Sequence, residues 1–187
     1  MYYRSRTGCE QLAEELGCAH YHAGQVDRGE KLQQWSETGG LIVATSALGT
    51  GVDIPGIVFV LHVDMPWGMI DFAQESGRAG RGGEVVDSII LVEENSVERR
   101  LRQNTLSLDA SAMATFITTA HCRRRVMTDY LDGPDLTQSC ADITGGARCD
   151  RCGEGLVELE ASERQAAREW QLVKQALDDM AEGYALC

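Results

Sequence analysis

Three short and mostly apolar runs most constrain what this chain can fold into. They lie at residues 41–44, 57–63 and 88–92, and none of them alternates apolar with polar side chains. Unalternating runs that are separated by helical segments are typical of a parallel sheet covered by helices on both faces. The sequence therefore predicts an α/β domain that ends near residue 94.

Helix starts in this domain are predicted from capping patterns. Thr7 and Asp27 each precede a glutamate by three residues, which predicts that a helix begins at each of them. A third helix is predicted over residues 69–77. Short strands are predicted at residues 2–3 and 19–21, and they complete the sheet.

The rest of the chain divides into two parts. Residues 95–155 are predicted to be helical up to about Tyr130 and a Gly-, Asp- and Cys-rich loop beyond it, with Met113, Phe116 and Ile117 on one helix face. Residues 156–187 are predicted to form an amphipathic helix, whose apolar stripe packs on its own domain or meets a partner helix.

Composition limits the classes of partner that this chain is expected to bind. The chain has 29 acidic and 17 basic residues, a net charge of -12, which argues against indiscriminate binding to the phosphate backbone. Two arginine clusters still allow a local basic patch or a solvated helix face: Arg99, Arg100, Arg102 and Arg123, Arg124, Arg125. We expect no membrane partner, since no apolar run reaches the ~18 residues that a span needs. No secretory signal is visible at the N-terminus.

Four of the seven cysteines are predicted to bind zinc. Cys149 and Cys152 form a C-x-x-C pair, and Cys122 and Cys140 lie upstream. Four thiolates can surround zinc tetrahedrally, and clustered cysteines without an export signal favour metal over disulfides. The alternative is a redox pair, but that motif sits between a strand and a helix. Here the pair lies in a Gly-rich loop.

The segment Gln74-Glu75-Ser76-Gly77-Arg78-Ala79-Gly80-Arg81 places two guanidiniums on a Gly-rich turn. Arginine is always charged and binds phosphate bidentately. An arginine finger of this kind accelerates phosphoryl transfer by roughly 10³ to 10⁵. The alternative is a basic surface turn paired with local acids. Because ligands of parallel sheets sit beyond the carboxyl ends of the strands, we expect both arginines at that edge.

Three sequence blocks occur in a familiar order. They are A-T-S-A-L-G-T-G-V-D at residues 44–53, H-V-D-M-P at 62–66 and Q-E-S-G-R-A-G-R at 74–81. The first and last resemble motifs V and VI of superfamily-two helicases, and their residues are most similar to those of the RecQ family. The resemblance covers residues 2–152, and its cysteine spacing is similar to that of fungal subtelomeric RecQ-like helicases. It implies a RecA-like fold and a nuclear, ATP-dependent 3′–5′ DNA helicase.

The resemblance also implies roles on the nucleotide side. Arg81 is the expected arginine finger, and Arg78 is a second phosphate contact or an organiser. Gln74 belongs to the same motif, and Gly51 and Asp53 bear on the nucleotide. For Asp53, an ordinary turn aspartate is the alternative.

Contacts to the backbone of single-stranded DNA are implied for five residues: Ser5, Arg6, His22, Gly24 and Thr45. For His22, a purely structural histidine is the alternative. Trp67 stands where RecQ proteins often have a basic residue, and the resemblance gives it no role.

The sequence contains neither G-x-x-x-x-G-K-[ST] nor D-E-x-H. These motifs hold the nucleotide phosphates and magnesium. We therefore expect an N-terminal RecA-like lobe, in cis or in trans, to bind ATP and Mg²⁺, and we expect no hydrolysis by this chain alone. A second hypothesis is a non-catalytic, zinc-stabilised remnant that binds DNA or protein. An RNA helicase is a weaker third hypothesis, since motif VI of RNA helicases usually begins with His, where this chain has Gln74. Chromatin remodellers usually carry a further basic residue in this motif, where this chain has Ala79 and Gly80.

Overall fold

The computed structural model describes residues 1–49, 54–83, 86–102 and 106–153. Its strands are β1 (Tyr2–Tyr3), β2 (Ala19–Tyr21), β3 (Ile42–Ala44), β4 (Phe59–Val63) and β5 (Asp87–Leu91). Its α-helices are α1 (Arg6–Glu15), α2 (Arg28–Thr38), α3 (Met69–Ser76), α4 (Ser96–Leu101), α5 (Leu108–Thr118) and α6 (Arg123–Leu131). Short 3₁₀ turns lie at Ser46–Gly49 and Pro134–Leu136.

The five strands form one parallel sheet in the order β2-β3-β1-β4-β5. The predicted parallel α/β fold is therefore confirmed. The register pairs Tyr2 with Ala44 on one side and with His62 on the other. As a result β1, although only two residues long, lies at the centre of the sheet.

The first helix begins two residues earlier than predicted. Ser5, not Thr7, is the N-cap of α1, and its side-chain oxygen accepts a hydrogen bond from the Gly8 amide at 3.0 Å. An N-cap hydroxyl satisfies one of the amides that a helix start leaves unpaired. The Ser5 backbone is extended, as a cap requires, and this follows directly from the end of β1.

The predicted helical stretch after Asn95 is divided into three helices. Ser107 starts α5, because its hydroxyl oxygen accepts from the Ala110 amide at 3.1 Å. Thr119 ends α5 in an extended conformation, which turns the chain before α6. We call α4, α5, α6 and the following loop to residue 153 the helical module.

The largest apolar cluster joins the helical module to the sheet domain. It contains buried residues of α3 and its approach together with residues of α4 and α5: Met65, Met69, Phe72, Val97, Ala110, Met113, Ala114 and Phe116. Ile117 packs against the cluster, so the predicted shared face of α5 is confirmed. The position of α3 is therefore fixed from both sides.

Within the described residues, none of the helices has the length and apolar character needed to cross a membrane. The predicted helix in residues 156–187 lies outside the described part of the chain.

Candidate functional site

The predicted DNA-contacting residues follow the carboxyl ends of three adjacent strands. Ser5 follows β1, Thr45 follows β3 and His22 follows β2, and these strands are neighbours in the sheet. Neighbouring strands are ~4.8 Å apart, so the three positions form a track about 10 Å long. Ser5 is exposed, whereas Thr45 and His22 are buried, with 8% and 5% of their surface accessible.

His22 orients the loop that follows β2. Its Nδ1 accepts a hydrogen bond from the Gly24 amide at 3.1 Å, and its Nε2 lies 2.8 Å from a Glu10 carboxylate oxygen. Since Nδ1 accepts, the proton is on Nε2 and is donated to Glu10. Both ring nitrogens are thus used within the chain. The exposed residues beside this ring include Gly24, Arg6 and Glu10.

Arg6 and Gly24 lie against each other. A Cβ at Gly24 would be 3.2 Å from Arg6 Nη1 and 3.2 Å from His22 Nδ1. A side chain at position 24 would therefore require Arg6 or His22 to shift by a few tenths of an ångström. Glycine lets the loop and the Arg6 guanidinium approach each other closely at this exposed point.

Glu10, His20 and His22 offer donor atoms within 4.8 Å of one another, which raises the question of a metal. The hydrogen bonds of His22 argue against a metal ion at this position. A metal on His22 Nε2 requires the proton on Nδ1, and that proton would face the Gly24 N–H donor. The hydrogen-bonded pair of Glu10 and His22, with the His20 ring stacked on His22, supports the β2 loop.

The two arginines of the 74–81 segment lie at the opposite edge of the sheet. The α3 helix starts beyond the carboxyl end of β4 and runs back, so its last residue, Ser76, meets Ser88 at the start of β5 with 2.8 Å between their hydroxyl oxygens. The Gly80 amide donates to the Ile57 carbonyl at 3.3 Å, just before β4. The prediction that Arg78 and Arg81 lie at the carboxyl edge is therefore wrong.

Arg78 and Arg81 differ in their surroundings. Arg78 is 6% exposed and lines a cleft of about 170 Å³ with Met1 and Ile42, the amino-terminal ends of β1 and β3. Burial raises the pKa of the Tyr2 hydroxyl, and the neighbouring Arg78 guanidinium offsets part of that rise. Arg81 is exposed, and its Nε donates to the Gly77 carbonyl at 3.5 Å.

Of the other three residues predicted on the nucleotide side, the structure describes one. Gln74 is exposed on α3. Gly51 and Asp53 lie outside the described residues, so their predicted roles stay predictions.

Sequence reasoning missed a buried polar pair between β4 and α3. His62 Nε2 lies 3.0 Å from a Glu75 carboxylate oxygen, and the two residues are 2% and 5% exposed. The His62 ring stacks on Tyr2 at 5.2 Å and contacts Phe72 at 5.2 Å. Glu75 precedes Arg78 by three residues, so this pair fixes the helix end that carries the arginines. Both residues belong to the sequence blocks at 62–66 and 74–81, but nothing in those blocks predicts that the two side chains meet.

Glu75→Ala is expected to lower the free energy of unfolding by about 2–4 kcal/mol, because it strands a buried histidine donor and leaves a cavity. Urea denaturation of the zinc-loaded chain measures this loss. Glu75→Gln keeps an acceptor oxygen and should lose less, and Glu14→Ala, at an exposed site on α1, is the control. A change below about 1 kcal/mol for Glu75→Ala would show that the pair does not hold α3.

The four predicted metal ligands come together in the helical module. The Sγ atoms of Cys122, Cys140, Cys149 and Cys152 all lie within 4.8 Å of one another. Sulfurs around tetrahedral zinc, each ~2.3 Å from the ion, are about 3.8 Å apart, so the set fits this metal. The Cys140 amide donates to Cys122 Sγ and the Cys149 amide to Cys140 Sγ, both at 3.3 Å.

These backbone donors change the acidity of the first cysteine. Burial alone would raise the pKa of the Cys122 thiol, but hydrogen bonds from the backbone of Cys140 and Arg125 and from neighbouring thiols lower it to about 6. A thiol must lose its proton to bind a metal. The surroundings of Cys122 therefore favour the thiolate that a metal requires.

Arg123 ties the C-x-x-C turn to α5. Its Nε and Nη2 donate to the two carboxylate oxygens of Asp150 at 2.6 and 2.8 Å, and its Nη1 donates to the carbonyls of Phe116 and Ile117. Burial raises the pKa of Asp150, but the bidentate Arg123 outweighs it and holds the pKa below its usual value. Arg123 therefore joins the C-x-x-C turn to the end of α5 through Asp150.

Comparison with known proteins identifies the class. Residues 1–83 match the model of the helicase conserved C-terminal domain. The chain is 31% identical over 196 residues to the ATP-dependent DNA helicase Q5 of Mus musculus, covering 89% of the chain and 19% of that protein. It is 29% identical over 166 residues to the ATP-dependent DNA helicase RecQ of Bacillus subtilis, covering 77% and 28%.

A third relative is the ATP-dependent helicase SGS1 of Saccharomyces cerevisiae, 27% identical over 174 residues that cover 81% of the chain and 12% of that protein. Together with the parallel sheet, these matches identify a C-terminal domain of a RecQ-like helicase. The chain spans between 12% and 28% of the length of these three relatives.

Proposed function

We propose that this chain is the second motor domain of an ATP-dependent DNA helicase of RecQ type. One observation carries the proposal: among the described site residues, the DNA-contacting ones and the pair Arg78 and Arg81 lie at opposite edges of one sheet. Ser5, Arg6 and Gly24 are exposed at the carboxyl edge, and Arg81 is exposed at the amino edge. A motor that converts nucleotide chemistry into movement on a strand needs two such surfaces joined by a rigid body.

The carboxyl edge is proposed to hold one DNA strand by its phosphates. The Ser5 hydroxyl uses its oxygen to cap α1, which leaves its proton to donate to a phosphate. Arg6 supplies charge, and the Gly24 loop brings its backbone close to the strand. Such contacts fix position without reading sequence. His22 supports them by orienting the loop.

The amino edge is proposed to face ATP bound by an N-terminal RecA-like lobe. That lobe supplies the phosphate-binding loop and the Mg²⁺ ligands. Arg81 then stabilises the charge that develops on the γ-phosphate in the transition state. Arg78, which is buried beside Tyr2, holds the turn that presents Arg81.

The four cysteines are proposed to bind structural zinc, because their spacing fits a tetrahedral thiolate site. Unwinding in the 3′–5′ direction and a nuclear location are proposed from the family alone.

The experiment compares ATP hydrolysis by the 187-residue chain with hydrolysis by a chimera. In the chimera, residues 1–153 replace the aligned segment of the Bacillus subtilis relative, which retains its own remaining domains. We expect no DNA-stimulated hydrolysis by the chain alone and clear stimulation in the chimera. Robust hydrolysis by the chain alone would contradict the proposal that a separate N-terminal lobe binds the ATP. A folded chimera that binds DNA and does not hydrolyse ATP would favour the non-catalytic remnant.

A further inference from the structure

Trp67 is an exposed tryptophan at the carboxyl edge of the sheet. It is 54% exposed, although it follows two buried residues, Met65 and Pro66. An accessible aromatic ring offers a flat apolar face to a ligand. Neither the proposed phosphate contacts nor the nucleotide edge uses it.

The backbone presents Trp67 rigidly. On one side Asp64 has a left-handed backbone with φ of 75° and uses its carboxylate to accept from the Met65 amide at 2.7 Å. On the other side the Gly68 backbone lies directly against Asp109 of α5, where any Cβ would overlap that side chain. Asp109 also accepts from the Ile70 amide at 3.2 Å. The exposure of Trp67 therefore belongs to an ordered segment.

One face of the Trp67 ring is covered by an arginine. The Arg4 guanidinium carbon lies 3.7 Å from the ring centroid, which is a close cation–π contact. Arg4 Nε and Nη1 are buried without hydrogen-bond partners, and Asp64 is 4.0 Å from Nη1. The guanidinium is thus held mainly by the ring. More than half of Trp67 stays accessible even with this face covered.

Trp67 lies at the end of the DNA track. Arg4, Ser46 and Trp67 line one small recess. Arg4 directly precedes Ser5, and Ser46 directly follows Thr45. Since β4 is the neighbour of β1, the recess extends the β2-β3-β1 track by one strand.

We propose that Trp67 is a stacking platform for an unpaired base of the bound strand, and that Arg4 backs the ring. This inference rests on the proposed function, because it places a base contact beside the phosphate contacts. Every base has a π-face, so the platform accepts any sequence. Arg4 and Arg100 both lie near Asp64, at 4.0 and 3.5 Å. The ring is one strand away from the proposed phosphate contact of Ser5, and this favours an unpaired base of the same DNA strand as its occupant.

Fluorescence tests the platform in the zinc-loaded chain. Trp67 becomes the sole tryptophan when Trp35 and Trp170 are replaced by phenylalanine. We expect oligothymidylate to quench its emission. By anisotropy of a labelled strand, Trp67→Ala should weaken binding about 5- to 100-fold, Trp67→Phe less, and the exposed control Leu136→Ala not at all.

An abasic strand of equal length isolates stacking from charge. It retains the phosphates, so the penalty of Trp67→Ala should vanish on it. If the thymidine strand binds without changing the Trp67 emission, and the Trp67→Ala variant binds that strand as tightly as the parent chain does, the platform is wrong and the proposed function stands. If the chain binds neither strand, the proposed DNA-binding edge fails and the platform fails with it.

Discussion

Replacing Cys149 and Cys152 by serine is expected to release zinc and to unfold the helical module. Zinc binding contributes ~10–16 kcal/mol to folding in isolated zinc fingers, more than a small module gains from its apolar core. Two of the four thiolates would be lost, and the Cys149 amide would no longer hold its place beside Cys140. The Asp150–Arg123 clamp depends on the same turn.

Metal analysis of the purified variant measures the release, and far-UV circular dichroism measures the loss of helix. Cys18→Ser is the matched control, because Cys18 lies outside the cluster and should leave one zinc per chain. A double variant that retains full zinc would remove the site. Zinc loss with unchanged helix content would show that the apolar contacts with α3 hold the module without metal.

Arg81→Ala is expected to lower kcat for DNA-stimulated ATP hydrolysis in the chimera by roughly 10³-fold or more, the range of an arginine finger. Arg81 is the informative position, since it is exposed and its removal spares the core. Arg78→Ala would confound the result, because Arg78 is 6% exposed and its loss disturbs the sheet end beside Tyr2.

Two controls define the Arg81 result. Arg81→Lys should recover little, because an ammonium lacks the bidentate fork. Arg28→Ala removes an equally exposed arginine at the start of α2 and should leave kcat unchanged. If Arg81→Ala keeps more than about a tenth of kcat, the finger lies elsewhere.

The sheet could be predicted from sequence because β3 and β4 lie in apolar runs, although the apolar run of β5, at the edge of the sheet, is largely exposed. The cysteine cluster was equally predictable, since thiols separated by two residues converge on one ion. The edge that carries Arg78 and Arg81 was predicted wrongly. The available signal was the length of α3: a helix that connects parallel strands must return to the amino edge, so its end lies there.

Tertiary context decided the remaining differences. Ser5 and Thr7 are both good caps, and Ser5 is the cap because β1 ends only two residues before it, at Tyr3. His62 and Glu75 are thirteen residues apart on different elements, so their hydrogen bond has no local pattern. The exposure of Trp67 follows from the packing of Gly68 against Asp109 in the helical module.

One titration most directly tests whether the DNA strand and the nucleotide bind at opposite edges of the sheet. It measures the ATP hydrolysis rate of the chimera at rising concentrations of single-stranded DNA. Arg6 and Arg81 are both exposed arginines, at opposite edges of the sheet. We predict that Arg6→Ala shifts the midpoint to higher DNA concentration with an unchanged plateau, and that Arg81→Ala lowers the plateau with an unchanged midpoint. A lowered plateau for Arg6→Ala, or a shifted midpoint for Arg81→Ala, would contradict the assignment of strand and nucleotide to separate edges.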